Sequence, residues 1–357
     1  MFLWRKSWTR SELMQHIGSL SQLGGISRVE FCDGKAKGVS ALRVRTASGL
    51  DFSVLPEKGM DIVDAFYKGM SLSWHSPVGV VHPAYYDTCD IEWLKTFPGG
   101  LISTCGATTA GSPSTDQGEA LGLHGSIANT PAEHVQWLED WDEDELILTV
   151  KGRVREARVF GANLAMNRSI RSTLAGRSIQ LRDSFVNEGY ADVPLMLVYH
   201  LNFGFPLLNE HSRIYAPSTN VTPRTEVAAK HLDHWNTFES PMAGVPERVY
   251  YHDMRRDKDG RVTVVLVQDD TVRNFGVAIE YQADTLPRFI EWKMPGVNHY
   301  ALGLEPANCK VEGRKTEREA GTLQFLSPGT SRDFAIDIHV LDGPEEVSTA
   351  IAAVAKT

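Results

Sequence analysis

Apolar residues alternate with polar residues along most of the chain, with the period of two that is typical of β-strands. The segment ALRVRTASGLDFSVLP, residues 41–56, predicts two such strands around a turn at residues 47–49. The same alternation returns in residues 145–154, 169–185, 261–282 and 331–341. In the last of these segments, one strand face carries Phe334, Ile336, Ile338 and Val340. Short strands joined by turn residues predict an all-β fold, a large antiparallel β-sandwich.

Helices are predicted only at the two ends. TRSE at residues 9–12 fits a capping box, and apolar residues follow at helical spacing, which predicts a helix over about residues 9–23. A proline after Gly343 predicts a second helix over about residues 344–356. Between them the β-sandwich is expected over about residues 27–342. No linker, repeat or low-complexity stretch interrupts the pattern, so residues 1–357 are predicted to form a single domain.

Composition and charge narrow the class of partner. The net charge of -9 provides no broad basic surface, which argues against nucleic-acid or membrane partners. The four cysteines are widely spaced and are predicted to be thiols in a reducing compartment. The N-terminus does not resemble a signal peptide, and no apolar run reaches the roughly 18 residues that cross a bilayer. The sequence therefore predicts a cytoplasmic protein that binds a small neutral or polar ligand.

Three segments break the alternation with polar residues: LGLHGSIANTPAEHVQW (121–137), LMLVYHLNFGFPLL (195–208) and IEWKMPGVNHYALGLEPAN (290–308). In the second, both strand faces are apolar until His200, and Asn202 follows on the same face. A satisfied core histidine is the commoner reading of such a position, but the paired imidazole and amide favour an arranged polar site. In the third, Glu305 ends an apolar run. Burial would raise its pKa, as a general base working near neutrality requires, although a structural salt bridge is the alternative.

The order of these segments resembles the galactose mutarotase (aldose 1-epimerase) superfamily. H-G comes first, then an apolar strand ending in histidine, then L-E-P near the end of an all-β chain. FPGGLISTCG (97–106) and LHGSIAN are similar to the hexose-phosphate mutarotase branch. PEKGMDI (56–62), LHGSIAN and LGLEPAN together most resemble an aldose-epimerase-like family carried as a domain of unknown function. The likeness covers most of residues 40–342 and implies a galactose mutarotase-like supersandwich.

The resemblance also implies a reaction and its residues. Members interconvert the anomers of a sugar by opening and closing its ring, without metal or organic cofactor. Glu305 matches the family's general base, His200 its general acid, and His124 a histidine that binds the sugar. The expected partner is a small carbohydrate, and a homodimer is compatible with the sequence.

The sequence gives less information about which sugar would be bound. The arginine of the phosphate-sugar branch is replaced by Ala128 or Asn129, so a phosphate clamp there is not expected. Three residues are candidates for the carboxylate that binds sugar hydroxyls: Glu247, Asp253 and Asp284. Further predicted substrate-binding residues are Asn202, Lys293, His299, Asp61 and Trp292. Among these, Lys293 and His299 would recognise a carboxylate, ketone or sulfonate, with a solvated surface lysine as the alternative for Lys293.

Two other functions remain open from the sequence. Twelve histidines allow a metal-assisted isomerase or epimerase of keto sugars in the same cleft, although no compact metal-binding motif is present. A carbohydrate-binding domain without catalysis is the alternative from a different class, because the scaffold can keep a sugar cleft without turnover.

Overall fold

Two large antiparallel sheets form the protein in the computed structural model, which describes residues 1–270 and 273–356. The first sheet has eleven strands, which lie in the order Ser218–Pro223, Arg248–Met254, Arg288–Met294, Ala301–Ala307, Met196–Phe203, Ile102–Ala107, Asp61–Tyr67, Leu50–Leu55, Ser40–Arg45 and Gly25–Glu30, with Met70–Ser71 beside Asp61–Tyr67. The second has eight strands, in the order Ala132–Asp142, Glu145–Ala157, Asn163–Thr173, Ser178–Asn187, Ser331–Asp342, Arg273–Gln282, Arg261–Asp270 and Ser212–Tyr215. The predicted all-β class and sandwich architecture are confirmed.

Short elements complete the described part of the chain. Small two-stranded pairs are Phe2–Leu3 with Lys6–Ser7, Trp74–His75 with Gly99–Gly100, Ser114–Asp116 with Glu119–Leu121, and Val193–Pro194 with Phe325–Leu326. The α-helices are Arg10–Met14, Glu226–Ala229, Arg314–Glu319 and Pro344–Lys356. The 3-10 turns are Leu20–Gln22, Gly34–Ala36, Pro83–Tyr85, Glu92–Thr96, Ile127–Asn129 and Leu232–His234. None of the helices in residues 1–270 and 273–356 has both the length and the hydrophobicity to cross a bilayer.

The predicted end helices differ in outcome. The C-terminal helix Pro344–Lys356 is confirmed. At the N-terminus the capping box between Thr9 and Glu12 is present, but the α-helix ends at Met14 and does not reach residue 23. Gly18 interrupts the segment, and the Ser19 side chain then caps a separate 3-10 turn. Glycine destabilises a helix interior and serine favours a new cap, so the apolar spacing alone overestimated the helix.

The main apolar core lies between the two sheets, and one strand shows how the candidate site is supported. Alternate residues of Met196–Phe203, the His200 strand, enter this core: Leu197, Tyr199, Leu201 and Phe203. Met196 and Val198 point to the opposite face and join a second buried cluster with Cys105, Ile290 and Ala307. The strand is therefore buried on both faces, which explains its unbroken apolar character.

A buried ion network joins the two sheets. The guanidinium of Arg168, in the second sheet, lies 2.7 Å from Asp61 and 2.6 Å from Asp183. All three residues are at most 6% exposed. A buried cation that is shared by two carboxylates fixes the sheets in one relative register, because any shift would leave charges unpaired. The four cysteines are free thiols, as predicted; the single-domain division stays a prediction.

Candidate active site

His200 and Glu305 meet on adjacent strands of the first sheet. The His200 strand pairs with Ala301–Ala307, and this register places Asn202 opposite Gly303. The His200 Nε2 atom lies 3.2 Å from the Glu305 Oε1 atom. The two residues are only 6% and 2% exposed. The pair is therefore a close imidazole–carboxylate contact that is largely shielded from water, although the residues lie 105 positions apart in the chain.

Gly303 makes room for this contact. A Cβ atom at Gly303 would lie 2.6 Å from Glu305 Oε1 and 2.9 Å from His200 Cε1. Those distances are shorter than van der Waals contact, so only glycine leaves both side chains in place. The glycine of LGLEP was not assigned a role from the sequence, although an isolated glycine within a strand indicates a close approach of this kind.

His124 reaches the pair from a loop with a constrained backbone. Its φ is 58°, in the left-handed region, and its N–H donates to Gly111 O while its own carbonyl accepts from the Gly106 N–H, both at 2.9 Å. The next residue, Gly125, has φ 71°, and a Cβ there would lie 2.4 Å from the carbonyl oxygens of Gly106 and Thr109. The H-G motif thus has a physical basis: the glycine permits the tight turn that presents the imidazole.

Aromatic rings surround the two histidines. Trp93 packs against His124 with ring centroids 4.8 Å apart, and the two imidazoles are 6.0 Å apart. Phe97 and Trp292 lie 5.7 and 5.4 Å from the His200 ring. Phe97 belongs to the FPGG stretch but was not assigned a role from the sequence. Such rings exclude water from the polar centre and offer a face for the apolar side of a ligand.

Burial favours the neutral forms of the polar groups. It lowers the pKa of His200 to about 4, and the neighbouring Asn202 amide acts in the opposite direction. Burial also lowers the pKa of His124 to about 3, with a further contribution from the charge of His200. The same cause raises the pKa of Glu305 well above its usual range. Burial therefore favours a proton on the centre under conditions in which a solvent-exposed carboxyl would have lost it.

Two charged side chains at the rim act on Glu305 in opposite directions. The charge of Glu247 raises the pKa of Glu305, and that of Arg224 lowers it. Glu247 is exposed and accepts a 2.8 Å hydrogen bond from Trp292 Nε1. Arg224 donates to Glu312 at 2.9 Å, through Nε. Arg224 was missed, because no local sequence signal connects residue 224 with this centre.

The three carboxylates that the sequence left open differ in their surroundings. Of these three, Glu247 is the one whose charge acts on Glu305. Asp253 accepts a hydrogen bond from Asn220, 3.1 Å away, and Asp284 forms an exposed ion pair with Arg256.

The remaining predicted substrate-binding residues do not all lie beside the His200–Glu305 pair. Asn202 lies behind His200 and donates to the His200 and Gly99 carbonyl oxygens. Lys293 does not face the pair: its ammonium donates to the backbone carbonyls of a neighbouring loop, at residues 234, 235 and 237. Successive residues of a strand point to opposite faces, so Lys293 cannot share a face with Trp292. His299 is exposed in a turn, and Asp61 is bound by Arg168 and by Thr104 in the network between the sheets.

Several polar atoms of the site lack a partner. Within the described residues, buried atoms without a hydrogen bond include His124 Nδ1, His200 Nδ1, Asn202 Oδ1 and Glu305 Oε1. The last of these is close to His200, but without the alignment of a hydrogen bond. Buried groups of this kind are normally satisfied by water or a ligand. Across residues 1–270 and 273–356, no group of three or more histidine, cysteine, aspartate or glutamate side chains is arranged to hold a metal ion.

The fold of this protein is galactose mutarotase-like. A crystal structure of a candidate aldose 1-epimerase from Klebsiella pneumoniae subsp. pneumoniae matches 93% of this chain and 87% of its own, at 26% identity and a TM-score of 0.88. A galactose mutarotase-like protein from Clostridium acetobutylicum matches with 13% identity and a TM-score of 0.59, covering 89% and 99% of the two chains. Galactose 1-epimerase from Lactobacillus acidophilus matches with 11% identity and a TM-score of 0.58, covering 90% and 100%. The last two likenesses concern the fold alone.

The chain belongs to the family described as "Domain of unknown function (DUF4432)", whose profile matches residues 36–340. The family resemblance predicted from the sequence is thereby confirmed. A search of curated proteins found no match.

Proposed function

We propose that this protein is an aldose 1-epimerase-like enzyme that interconverts the anomers of a sugar or sugar derivative. The observation that carries the proposal is the buried contact between His200 Nε2 and Glu305 Oε1, 3.2 Å apart. Ring opening of a hemiacetal needs a base at the anomeric hydroxyl and an acid at the ring oxygen. Glu305 is assigned as the base and His200 as the acid, and His124 binds the sugar beside them.

The reaction needs one proton on the pair. In the reactive form Glu305 is ionised and His200 carries the proton. Burial favours the form in which the carboxyl holds it, so the proton must pass from Glu305 to His200 within the site. Glu305 then takes the anomeric proton, His200 protonates the ring oxygen, and the ring C–O bond breaks to give the open aldehyde. Rotation and closure on the other face return both protons. If each group contributes about 10²–10⁴-fold, the pair lowers the barrier by roughly 5–11 kcal/mol.

Access to the pair depends on a rim side chain. Trp292 contacts the His200 ring and is itself half-buried. Its indole N–H is held by the exposed carboxylate of Glu247, 2.8 Å away. A sugar would displace this indole so that its hydroxyls reach the unpartnered atoms below. The proposal therefore includes a movement of Trp292 on substrate binding, which quenching or a shift of tryptophan fluorescence on sugar addition would report.

The direct test follows anomer interconversion of a panel of neutral, acidic, phosphorylated and keto sugars by polarimetry and NMR saturation exchange. Glu305→Gln and His200→Asn should each reduce the rate by at least 10²-fold. The chain offers a matched control in a second buried pair, His252 Nε2 with Glu291 Oε2 at 3.1 Å. That pair lies on the opposite face of the sheet, because Glu291 is opposite Leu304 rather than Glu305. His252→Asn should cost stability but spare the rate. No acceleration with any sugar, or full activity of Glu305→Gln, would refute the proposal.

The alternatives give different outcomes in the same experiments. A metal-assisted keto-sugar isomerase would contain stoichiometric zinc or manganese by elemental analysis and lose its activity to a chelator. A carbohydrate-binding protein without catalysis would bind sugar tightly in both the Glu305→Gln and the His200→Asn variant, with no turnover in the unmodified protein.

A further inference from the structure

A large hollow of the described structure is separate from the candidate active site. It has a volume of about 710 Å³, which lies in the range of small-molecule sites, and neither His200 nor Glu305 lines it. It begins on the far side of the His124 loop, at Gly125 and Ser126, and extends between the loops at residues 158–162 and 189–194. We call it the Phe160 groove.

Two highly exposed aromatic rings line this groove. Phe160 is 96% exposed and Tyr190 is 83% exposed, the highest exposures among the large hydrophobic side chains of the described residues. Phe160 also has a φ of 60°, a left-handed backbone that is unfavourable for a bulky residue. Neither ring adds to the core, so the stability of the fold does not explain them. Exposed aromatic rings beside a concave polar surface are typical of binding surfaces.

The charges of the groove are already balanced. Its six charged lining residues are Glu119, Glu156, Asp192, Arg158, Arg314 and Arg318. Glu119 accepts bonds from Arg158 and Arg314, while Asp116, just outside the lining, binds Arg314 and Arg318. Glu156 accepts hydrogen bonds from the Ala107 N–H and the Ser126 hydroxyl. The lining has equal numbers of positive and negative charges, and all three arginines are held in ion pairs with Glu119 or Asp116. Such a lining favours an uncharged ligand over an anion or cation.

A buried hydroxyl gives an independent indication of a ligand. Thr109 lines the groove and is 5% exposed, and its Oγ1 atom has no hydrogen-bond partner in the described residues. A buried hydroxyl without a hydrogen-bond partner destabilises the fold unless water or a ligand hydrogen-bonds to it. Together with Gln117 and Ser126, it offers neutral hydrogen-bonding groups in the same lining as the two rings.

From these observations we infer that the Phe160 groove is a second carbohydrate-binding site, for a neutral oligosaccharide. Its rings would stack on the apolar faces of pyranose units, and its amide and hydroxyl groups would bind their hydroxyls. A second copy of the chain is the less favoured occupant. Among the described residues, the exposed large apolar side chains at the groove are Val159, Phe160, Tyr190 and Phe325, too little apolar area for a stable dimer interface. The inference does not depend on the proposed reaction.

The test measures binding of neutral gluco-, galacto-, manno- and xylo-oligosaccharides of four units by saturation-transfer NMR and titration calorimetry. The unmodified protein should bind at least one of them, and the double variant Phe160→Ala/Tyr190→Ala should bind it at least tenfold more weakly. Thr109→Val should weaken binding roughly two- to tenfold through loss of one hydrogen bond. The matched control is Phe2→Ala/Trp4→Ala, which removes two aromatic rings that are 65% and 61% exposed elsewhere and should bind normally.

Three results would overturn the inference. One is the absence of binding to every member of the panel. Another is binding that survives Phe160→Ala/Tyr190→Ala but is abolished by His200→Ala, which would place the glycan in the candidate active site. The third is a dimer in sedimentation velocity that dissociates in Phe160→Ala/Tyr190→Ala while no glycan binds, which would identify a protein interface. Loss of anomer interconversion would leave the groove unaffected, so the two proposals fail separately.

Discussion

A single methyl group at position 303 should reduce activity far more than it reduces the stability of the fold. Gly303→Ala adds a Cβ atom 2.6 Å from Glu305 Oε1 and 2.9 Å from His200 Cε1. To restore an ordinary contact of 3.4 Å, the carboxyl oxygen must move by about 0.8 Å. Displacement of a catalytic group by about 1 Å costs on the order of 10²-fold in rate. Overpacking lowers the free energy of unfolding by roughly 1–3 kcal/mol. Alanine offsets roughly 0.5–1 kcal/mol of that loss, because it is less destabilising than glycine within a strand.

The assay compares anomer interconversion with the free energy of unfolding from urea melts. Gly152→Ala is a matched control, because it also lies within a strand, and its Cβ would be 2.8 Å from the Met60 sulfur atom. Gly152→Ala should lose comparable stability and keep its activity within twofold, whereas Gly303→Ala should lose about 10²-fold in activity. If Gly303→Ala keeps more than half of the activity while folded, the contact between His200 and Glu305 does not limit the reaction.

Three further predictions concern charge. Glu247→Gln removes a negative charge near Glu305 and should lower its pKa, so the alkaline limb of the kcat/KM profile should move to lower pH. Arg224→Gln removes a positive charge and should move the same limb to higher pH. Unchanged pH profiles would contradict the effect of these two charges on Glu305. Arg168→Met leaves two buried aspartates without their cation and should reduce the free energy of unfolding by roughly 3–5 kcal/mol in urea melts; a loss below about 1 kcal/mol would show that the network is relaxed by water. The pKa of His124 is lowered from 6.5 to about 3 by folding, so below pH 6.5 the unfolded chain binds a proton that the folded chain does not. Stability should therefore fall by about 2 kcal/mol between pH 6.5 and 5 from this group, and His124→Gln should lack that part of the slope.

Some misplacements could have been avoided with local rules. Lys293 follows Trp292 directly within a strand, and adjacent strand residues face opposite ways, so the two could not both line one cleft. The N-terminal α-helix ends at Met14, before Gly18, and the cost of glycine in a helix interior follows from its residue type. In both cases the prediction relied on whether residues are apolar or polar. It did not use the strand face of Lys293 or the backbone preference of Gly18.

The sequence by itself determined many of the strands, the C-terminal helix and the unusual environment of His200. These features follow from neighbouring residues, because the alternation of side chains along a strand is local and a strand that is apolar on both faces must be buried on both. Through the family likeness it also assigned expected roles to Glu305 and His124.

Only the tertiary structure decided which distant groups meet. The His200–Glu305 contact depends on the register of two strands that are about a hundred residues apart in the chain. The charges of Glu247 and Arg224 act on Glu305, and those of Asp253 and Asp284 do not, because of long-range packing of the same kind. Coulomb interactions act through space over a few ångströms, and separation along the chain does not encode that distance until the sheets are assembled.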